Sequence, residues 1–242
     1  MKIIINGAGG RMGRALSAMV QNSPDIEVVG TVDPFVTEPG MLAALMQCPP
    51  ADCIIDFSNH AGTEALMDYA VSQNLAVVVC TTGHTPEELE IIHKAARAVP
   101  VFHSGNMSVG IALLTRLAKE TAKMFPDADI EIVESHHNQK LDVPSGTALM
   151  LATAVQEARP EAEFVVGRHE NGKRKKSEVG IHSLRMGNTV GIHEVIVNTG
   201  TQIITLKHEA QDRSLFAEGA LTAAAFITGK APGLYDMKDL VK

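Results

Sequence analysis

A glycine-rich turn near the start of the chain constrains the fold more than any other feature. The segment Lys2–Asn6 contains three consecutive isoleucines, leads into Gly7, Gly9 and Gly10, and is followed from Arg11 by helical spacing of apolar residues. A short apolar run rich in β-branched residues is typical of a strand buried on both faces. Glycines permit the sharp turn from such a strand into a helix. We therefore predict a strand–turn–helix unit at the N-terminus.

The same alternation continues over the first hundred residues. Strand-like apolar runs recur at 26–32, 53–57, 76–80 and 101–103, and helical spacing is found at 62–74 and up to residue 98. The last of these helices opens with Thr85, Pro86 and two glutamates, a typical N-cap followed by proline and acidic residues in the first turn. Repeated β–α alternation predicts an α/β fold with a Rossmann-like, doubly wound parallel sheet.

The pattern changes near Ser104. Helical spacing is found at 108–125 and 146–158, and strand patterns occupy 130–135 and stretches of 181–208, including a candidate hairpin with arms 192–198 and 202–207. This region is predicted to be an α+β domain with a mixed open sheet. An alanine-rich helix at 215–228 follows and is expected to return to the first domain. We place the boundaries at 1–104 with 216–242, and at 105–215.

Composition and charge exclude several classes of function. The formal net charge is −7 at pH 7, whereas a nucleic-acid binder needs a basic face. No run of about 18 apolar residues is present that would span a membrane. The three cysteines, Cys48, Cys53 and Cys80, fit no zinc spacing, and their odd number argues against a disulfide framework. We therefore expect a cytoplasmic protein that binds neither nucleic acid nor membrane.

The glycine-rich turn is a candidate dinucleotide site. Its spacing is Gly7-x-x-Gly10-x-x-Gly13, looser than the usual fingerprint because Met12 occupies the place of the third glycine. A helix N-terminus reached through glycines attracts a pyrophosphate. The alternative is a glycine-rich turn without a ligand.

An acidic residue at the end of the second strand bears on the choice of cofactor. Asp33 stands where such folds bind the adenosine ribose hydroxyls, and its carboxylate would repel a 2′-phosphate. Arg11 and Arg14 are cations of the turn that could compensate. NADH is therefore the favoured cofactor, with NADPH as the second candidate.

The segment 134–148 is the densest polar stretch of the chain. It contains His136, His137 and Lys140 between a strand and a helix. Histidine suits proton donation near neutral pH, lysine supplies a fixed positive charge, and the helix that begins after Ser145 offers N–H groups to a carboxylate. These features predict a site for an anionic substrate. Adjacent histidines diverge on an extended chain and no third ligand is suitably spaced, so no metal site is predicted, and a G-x-S-x-G elbow for a serine hydrolase is absent.

At this segment the chain resembles the 4-hydroxy-tetrahydrodipicolinate reductase (dihydrodipicolinate reductase) family. The matching residues are His136-His137-x-x-Lys140-x-Asp142-x-Pro144-Ser145-Gly146-Thr147-Ala148, together with Gly7–Gly13, 56–58, 81–83, 106–110, 183–187 and 214–220. The resemblance extends over essentially the whole chain. It implies NAD(P)H-dependent reduction of 4-hydroxy-tetrahydrodipicolinate, a small cyclic dicarboxylate, to tetrahydrodipicolinate in lysine and diaminopimelate biosynthesis.

The resemblance also implies roles for individual residues. His136 and Lys140 would be catalytic. Substrate-binding residues would be His137, Ser145, Gly146 and Thr147. Cofactor-binding residues would be Gly7, Ala8, Gly9, Gly10, Arg11, Met12, Asp33, Cys80, Thr81, Thr82, Ser104, Gly105, Asn106 and Met107. The first domain would bind the cofactor, and the second would bind substrate and assemble a homotetramer.

Three positions depart from the family pattern. Cys80 replaces a frequent glycine, Met107 a frequent phenylalanine, and Asn59 an arginine that some members carry near the cofactor. Cys80 can still make a backbone contact to the cofactor and Met107 an apolar contact, whereas Asn59 lacks the positive charge of arginine and weakens the case for NADPH.

Two other functions remain as alternatives. One is a dehydrogenase of similar layout that acts on an amino acid. The other is a dinucleotide-sensing regulator without catalysis, for which the basic run 173–176 would be the binding face. We interpret that run as a solvated loop.

Overall fold

The computed structural model describes residues 1–21 and 23–242. The chain divides into two compact units. The N-terminal unit comprises Met1–Ser108, Ser214–Leu240 and Lys242, and the central unit comprises Val109–Arg213 and Val241.

The N-terminal unit is built on a seven-stranded parallel sheet. In chain order its strands are β1 (Lys2–Asn6), β2 (Glu27–Val32), β3 (Met41–Leu42), β4 (Cys53–Asp56), β5 (Ala76–Val79), β6 (Pro100–His103) and the last strand of the chain, β12 (Gly233–Tyr235). Their order across the sheet is β12-β6-β5-β4-β1-β2-β3. The chain therefore runs outward in one direction from β1 and then in the other from β4. The gap between the carboxyl ends of β1 and β4 is the topological switch point, where such sheets bind ligands.

Helices cover both faces of this sheet. They are α1 (Arg11–Val20), α2 (Thr63–Gln73), α3 (Pro86–Ala95), α6 (Ser214–Ile227) and the short α7 (Met237–Leu240), with single 3-10 turns at Leu45–Gln47 and His60–Gly62. Helix α6 packs on α1 and on strands β4, β5 and β6, while α2 and α3 contribute to the core on the opposite face. Because both faces are covered, the inner strands are continuous apolar runs, and Ile3, Ile4 and Ile5 have no exposed surface.

The central unit contains a five-stranded mixed sheet. Its strands are β7 (Asp129–His136), β8 (Glu163–Val166), β9 (Glu178–Arg185), β10 (Gly191–Asn198) and β11 (Ile203–Ala210), in the order β11-β10-β7-β9-β8. Strands β7, β8 and β9 are parallel to one another, and β10 is antiparallel to both of its neighbours.

One face of this sheet packs on helices α4 (Val109–Met124) and α5 (Gly146–Ala158). Alternate residues of β7 and β10, such as Ile130, Ile132 and Val195, point into this core and are fully buried. The opposite face carries further apolar side chains, among them Leu184 and Ile203, which are 48% and 64% exposed.

The predicted fold class is confirmed: a Rossmann-like parallel sheet is joined to a second unit with a mixed sheet. Three short edge strands, β3, β8 and β12, were not predicted from the sequence. No helix within residues 1–21 and 23–242 is long and apolar enough to cross a membrane.

The prediction of a solvated loop at 173–176 is wrong for one residue. Arg174 donates to Asp129 and Glu131 and to the Ile130 carbonyl oxygen, so its guanidinium braces the start of β7. Lys175 and Lys176 are exposed as expected.

Candidate active site

The turn after β1 is shaped by close contacts that exclude side chains. Gly7 has φ +77°, and a Cβ on it would lie 2.5 Å from the Phe57 carbonyl oxygen. The N–H groups of Gly7 and Ala8 both donate to the Val32 carbonyl oxygen, at 2.8 and 3.1 Å. The turn is thereby anchored to the end of β2, beside the switch point.

Two further glycines are required in this turn. A Cβ at Gly9 would lie 2.5 Å from Cγ2 of Val36, and one at Gly13 would lie 2.3 Å from the Gly7 carbonyl oxygen. A Cβ at Gly10 would lie 3.3 Å from the Gly7 carbonyl oxygen, which is tighter than an ordinary contact but less severe than at the other two glycines. The glycine that allows close helix–strand packing is therefore Gly13, one place later than in the strict fingerprint. This explains why Met12 can stand where that fingerprint has glycine.

The N-terminus of α1 is suited to an anion. Its N-cap residue, Gly10, has no capping side chain, and the first turn contains no acidic residue but begins with Arg11. The first N–H groups of a helix have no acceptor within it, and the helix dipole favours negative charge there. Together with the glycine cradle, these residues fit the pyrophosphate of a dinucleotide.

Asp33 and Arg14 are both tied to the glycine turn. The Asp33 carboxylate accepts hydrogen bonds from the N–H groups of Gly9, at 3.1 Å, and Phe35, at 3.0 Å. Arg14 donates from Nε to the Gly9 carbonyl oxygen at 2.9 Å and pairs with Glu38 at 2.5 Å. The positive charge of Arg14 is thus already matched by a carboxylate.

A buried acidic side chain links the strand ends at the switch point. Asp56, at the end of β4, is 2% exposed. It accepts hydrogen bonds from Asn6 at the end of β1 (2.8 Å), from the Ser58 hydroxyl (2.5 Å) and from the Thr81 hydroxyl after β5 (2.6 Å). The predicted cofactor segment 80–82 is therefore fixed to the same edge of the sheet as the glycine turn. Burial raises the pKa of the Cys80 thiol well above its usual value, so this thiol stays protonated.

The loop after β6 completes this edge. The Ser104 hydroxyl donates to the Asn106 carbonyl oxygen at 2.8 Å and accepts from its N–H. Met107 is buried, and a Cβ at Gly219 of α6 would lie 1.6 Å from the Met107 carbonyl oxygen. The predicted cofactor residues 104–107 thus form a compact turn that rests on α6. Gly105 lies in this turn, and a Cβ there would meet nothing within 4 Å.

Three histidines that sequence reasoning did not single out lie near this edge. His60 and His84 follow strands β4 and β5, and His103 is the last residue of β6. The ring of His84 makes T-shaped contacts with the rings of His60 and His103, at centroid distances of 6.4 and 5.3 Å. Glu88 accepts from Nδ1 of His60 at 2.9 Å. Burial lowers the pKa of His84 and of His103. No group of His, Cys, Asp and Glu in residues 1–21 and 23–242 is arranged to hold a metal ion.

In the central unit, His136 ends β7 and is bound to a buried carboxylate. Glu134 lies two residues earlier on the same strand, so both side chains point to the same face of the sheet. Nδ1 of His136 is 2.5 Å from Oε2 of Glu134. Glu134 has no exposed surface, and its two oxygens also accept from Arg185 at 2.9 and 2.8 Å and from the Ser145 N–H at 3.2 Å.

These contacts set the ionisation of the pair. Burial acts to raise the pKa of Glu134, but the hydrogen bonds from Arg185 and His136 act against it, and the pKa is lowered to about 2. Burial lowers the pKa of His136 below its usual value, and Glu134 partly offsets this effect. Because an ionised carboxylate only accepts, the proton on the ring of neutral His136 is assigned to Nδ1.

A second buried histidine, His193 on β10, lies beside His136. The two rings form an edge contact with centroids 5.1 Å apart, and Nε2 of His193 is 3.2 Å from the Ser145 hydroxyl. Burial lowers the pKa of His193 to about 4, so its imidazole is neutral at physiological pH. A Cβ at Gly191 would lie 3.1 Å from Nε2 of His136, and the glycine therefore keeps space open beside that nitrogen.

The remaining predicted residues follow β7 in sequence. Lys140 is largely buried and pairs with Asp142 at 2.8 Å. Ser145 is the N-cap of α5, and its hydroxyl accepts from the Ala148 N–H at 3.2 Å. His137 and Thr147 are half-buried, and Gly146 is exposed. The structure thus connects His136 to the start of α5 through Glu134.

Sequence reasoning assigned no role to Glu134, Arg185 or His193. The position of Glu134 two residues before His136 on a strand could have revealed it, since alternate residues share a face. Arg185 is the register partner of His136 across the β7–β9 pair, and no sequence spacing predicts that contact.

Comparison with known proteins assigns the chain to a family. The family models for dihydrodipicolinate reductase match over residues 1–107 for its N-terminus and 110–241 for its C-terminus. The chain is 44% identical to 4-hydroxy-tetrahydrodipicolinate reductase of Caldanaerobacter subterraneus subsp. tengcongensis, over all of this chain and 98% of that protein. It is 42% identical to the same enzyme of Clostridium novyi, again over all of this chain and 98% of that protein.

Solved structures show the same fold. Dipicolinate-bound dihydrodipicolinate reductase from Paenisporosarcina sp. TG-14 superposes with a TM-score of 0.84 at 24% identity, covering 99% of both chains. The diaminopimelate dehydrogenase of C. glutamicum superposes with a TM-score of 0.58 at 13% identity, over 99% of this chain and 93% of that one.

The family models and the full-length relatives place the chain among the NAD(P)H-dependent oxidoreductases, and its Rossmann-like unit with a glycine cradle agrees with that class. Within that class, the chain belongs to the dihydrodipicolinate reductase family.

Proposed function

We propose that this chain reduces 4-hydroxy-tetrahydrodipicolinate to tetrahydrodipicolinate with NAD(P)H, a step of lysine and diaminopimelate biosynthesis. The observation that carries the proposal is the Glu134–His136 pair beside the start of α5 and near Lys140 in sequence. It supplies a proton-transfer group next to cationic and N–H groups, which suits a cyclic dicarboxylate. The Paenisporosarcina structure is described as dipicolinate-bound, and dipicolinate is a compound of this class.

The substrate's carboxylates would be held by the start of α5 and by cationic side chains. The N–H groups of Gly146 and Thr147 open this helix, whose first turn contains no acidic residue. Ser145 positions this turn through its own N–H bond to Glu134. His137 and Lys140 would complete the set, with Lys140 exchanging its pairing with Asp142 for a substrate carboxylate.

The cofactor would be held by the N-terminal unit. Gly7, Ala8, Gly9 and Gly10, with Arg11 and Met12 at the start of α1, would bind its pyrophosphate. The segments 80–82 and 104–107 would line the remainder of the site, with Cys80 and Met107 contributing backbone and apolar contacts. When bound, the reduced nicotinamide supplies the hydride.

We favour NADH over NADPH. Asp33 would accept hydrogen bonds from the adenosine ribose, and its carboxylate opposes a 2′-phosphate. Arg14, a cation that could offset this repulsion, is paired with Glu38 at 2.5 Å. The structure thus offers a 2′-phosphate less positive charge than the sequence alone suggests.

The reaction consumes one hydride and one proton and releases the substrate's hydroxyl as water. His136 would deliver the proton from Nε2, and an unsaturated carbon of the substrate ring would take up the hydride that the bound cofactor would supply. Lys140 is the second donor. A positioned acid of this kind typically contributes about 10²–10⁴ in rate.

We further propose a homotetramer assembled through the central unit. One face of its sheet packs on α4 and α5, whereas the other carries Leu184 and Ile203 largely exposed beside the half-buried Val133, Ile192 and Ile196. An apolar sheet face of this kind is typical of an interface. The three free cysteines fit a reducing cytoplasm.

The regulator alternative loses its main support. The basic run 173–176 would be the nucleic-acid-binding face, but Arg174 is bound to Asp129 and Glu131. Lys175 and Lys176 also lie near carboxylates, at 4.0 and 3.7 Å.

The test is an assay with freshly prepared 4-hydroxy-tetrahydrodipicolinate, following oxidation of NADH and NADPH on one enzyme preparation. His136→Asn keeps a donor for Glu134 but removes the acid, and we expect turnover to fall about 10²–10⁴-fold with unchanged NADH affinity. Lys140→Ala should lose turnover in the same way.

The substitutions His169→Ala and Lys176→Ala, at exposed positions, serve as controls and should keep wild-type turnover. Near-normal turnover in His136→Asn would refute the assignment, and oxidation of diaminopimelate in place of this reduction would favour the dehydrogenase alternative.

A further inference from the structure

Glu134 is a costly residue to place in a protein core. Its side chain is fully buried, and an ionised carboxylate in that position is stable only when it is paired and hydrogen-bonded. Replacing a buried ion pair by apolar residues of similar volume often leaves the stability of a protein unchanged or increases it. Retaining this charge therefore suggests a task beyond packing.

The contacts of Glu134 divide into two sets. On one side, Arg185 donates to both oxygens, and the Ser145 N–H donates to one of them. These contacts come from β9 and from the start of α5, two elements fixed to the core of the central unit. On the other side is Nδ1 of His136, at 2.5 Å. The carboxylate is thus held rigidly by donors and offers the histidine only an acceptor.

This arrangement determines which nitrogen of His136 can exchange a proton. Nδ1 must carry a hydrogen to satisfy the carboxylate, so Nε2 is the nitrogen that gains and loses a proton. Space remains beside Nε2 because residue 191 is glycine. His193, which touches the His136 ring, is neutral and does not compete for the carboxylate, since its own Nε2 faces Ser145.

We propose that Glu134 is a positioning residue for the proton transfer: it fixes His136 in the Nδ1–H tautomer and makes Nε2 the nitrogen that delivers the proton. The inference rests on the proposed function for its catalytic consequence, but the tautomer itself is a property of the free protein. Arg185 and Ser145 act through Glu134 by holding its carboxylate in place.

The substitution Glu134→Gln separates this role from a merely structural one. Arg185 presents only donors, so the single oxygen of the glutamine should turn toward it and the amide NH2 should face His136. The amide would then favour the opposite tautomer, with the hydrogen on Nε2. Without the carboxylate, the pKa of His136 should also fall, because Glu134 raises it. The protonated fraction at a given pH would shrink, and the alkaline decline of kcat would move to lower pH.

The first measurement is 15N NMR of the histidine rings in the free wild-type protein and in Glu134→Gln, with His136 assigned by its absence in His136→Asn. The wild type should show Nδ1–H when neutral, and the variant should show Nε2–H. A neutral wild-type His136 that carries its hydrogen on Nε2 overturns the proposal without any variant. This experiment needs no substrate.

The second measurement is kinetic. Glu134→Gln should lower kcat by about 10–100-fold, the range typical when a supporting hydrogen-bond partner is lost, while KM for the dicarboxylate and the Kd for NADH stay unchanged. In a His136→Asn background the same substitution should have little further effect, because the two residues act as a unit. Glu157→Gln, at an exposed pair with Lys119 in the same unit, is the matched control.

The outcomes separate this inference from the proposed function. A loss of kcat that is equally large in the His136→Asn background shows that Glu134 is only structural and overturns the proposal. A variant with wild-type kcat and pH profile overturns it as well. A wild-type protein that shows the Nδ1–H tautomer but does not reduce the dicarboxylate refutes the proposed function while the tautomer assignment stands.

Discussion

Replacing Arg185 by methionine tests whether the charge of Glu134 depends on its partner. Arg185 donates from two nitrogens, at 2.9 and 2.8 Å, to the oxygens of a carboxylate with no exposed surface. Methionine keeps an unbranched apolar stem but has no charge and no donor. Removing one partner of a buried pair leaves an uncompensated charge, which typically costs about 3–5 kcal/mol.

The size of the effect can be worked from the pKa of Glu134. Its displacement from 4.5 to about 2 corresponds to about 3 kcal/mol of stabilisation near neutral pH, at about 1.4 kcal/mol for each pKa unit. Arg185 is the strongest of the interactions that lower it, and the remaining donors keep part of the effect. We expect Arg185→Met to lose about 2–4 kcal/mol, or about 5–15 °C in Tm for a chain of this length.

The loss should depend on pH in a defined direction. A carboxyl group with a lowered pKa contributes stability that is complete above its unfolded pKa of 4.5 and disappears as the pH falls through its folded pKa of about 2. In Arg185→Met the pKa of Glu134 rises, so the group takes up a proton at higher pH and relieves the uncompensated charge. The difference between the wild type and the variant should therefore be largest near neutral pH and should narrow as the pH falls from about 4.5 toward about 2.

The assay is thermal unfolding of both proteins over this pH range. Lys119→Met is the control, because Lys119 and Glu157 form an exposed pair whose loss should cost at most about 1 kcal/mol. Arg185→Lys keeps the charge without the two-pronged geometry and should lie between the wild type and Arg185→Met. A destabilisation that is independent of pH, or no larger than that of the control, would refute the electrostatic reasoning.

Two further predictions concern the N-terminal unit. Gly13→Ala places a Cβ 2.3 Å from the Gly7 carbonyl oxygen, so it should lower the free energy of unfolding by about 1–3 kcal/mol and weaken NADH binding. The control Gly62→Ala places a Cβ with nothing within 4 Å and should change neither the stability nor the NADH affinity. Equal Tm values for the two variants would contradict the packing argument. Asp33→Asn removes the charge opposed to a 2′-phosphate and should shift the ratio of NADPH to NADH affinity upward by about tenfold, or about 1.4 kcal/mol, as measured by direct binding of each cofactor. An unchanged ratio would show that Asp33 does not set the preference.

Much of the fold could be predicted from the sequence because the inner elements carry strong patterns. The isoleucine run of β1 is buried on both faces, and helix α5 begins and ends as predicted, at Gly146 and Ala158. The missed strands are short and lie at sheet edges. Strand β3 has two residues, and the residues of β8 and β12 are all at least partly exposed, so they lack the apolar periodicity that reveals a strand.

The candidate site was predictable only where its residues are close in sequence. His136, Lys140 and Ser145 fall in one segment that ends a strand and begins a helix, and this position is typical of functional loops. Arg185 and His193 reach the same place through strand register, a tertiary property of the β7–β9 and β7–β10 pairs.

The organisation of the two units has a common physical basis. Each contains a buried acidic side chain near the carboxyl end of a strand, Asp56 in the N-terminal unit and Glu134 in the central unit. Each of these accepts hydrogen bonds from residues on separate elements, so that loops distant in sequence are fixed to one another. An apolar side chain would fill the same volume at lower desolvation cost but could not orient its neighbours. The two buried acids therefore mark positions where the fold gives up some stability in order to fix polar groups, and these groups include Thr81 and His136, to which the proposed function assigns roles.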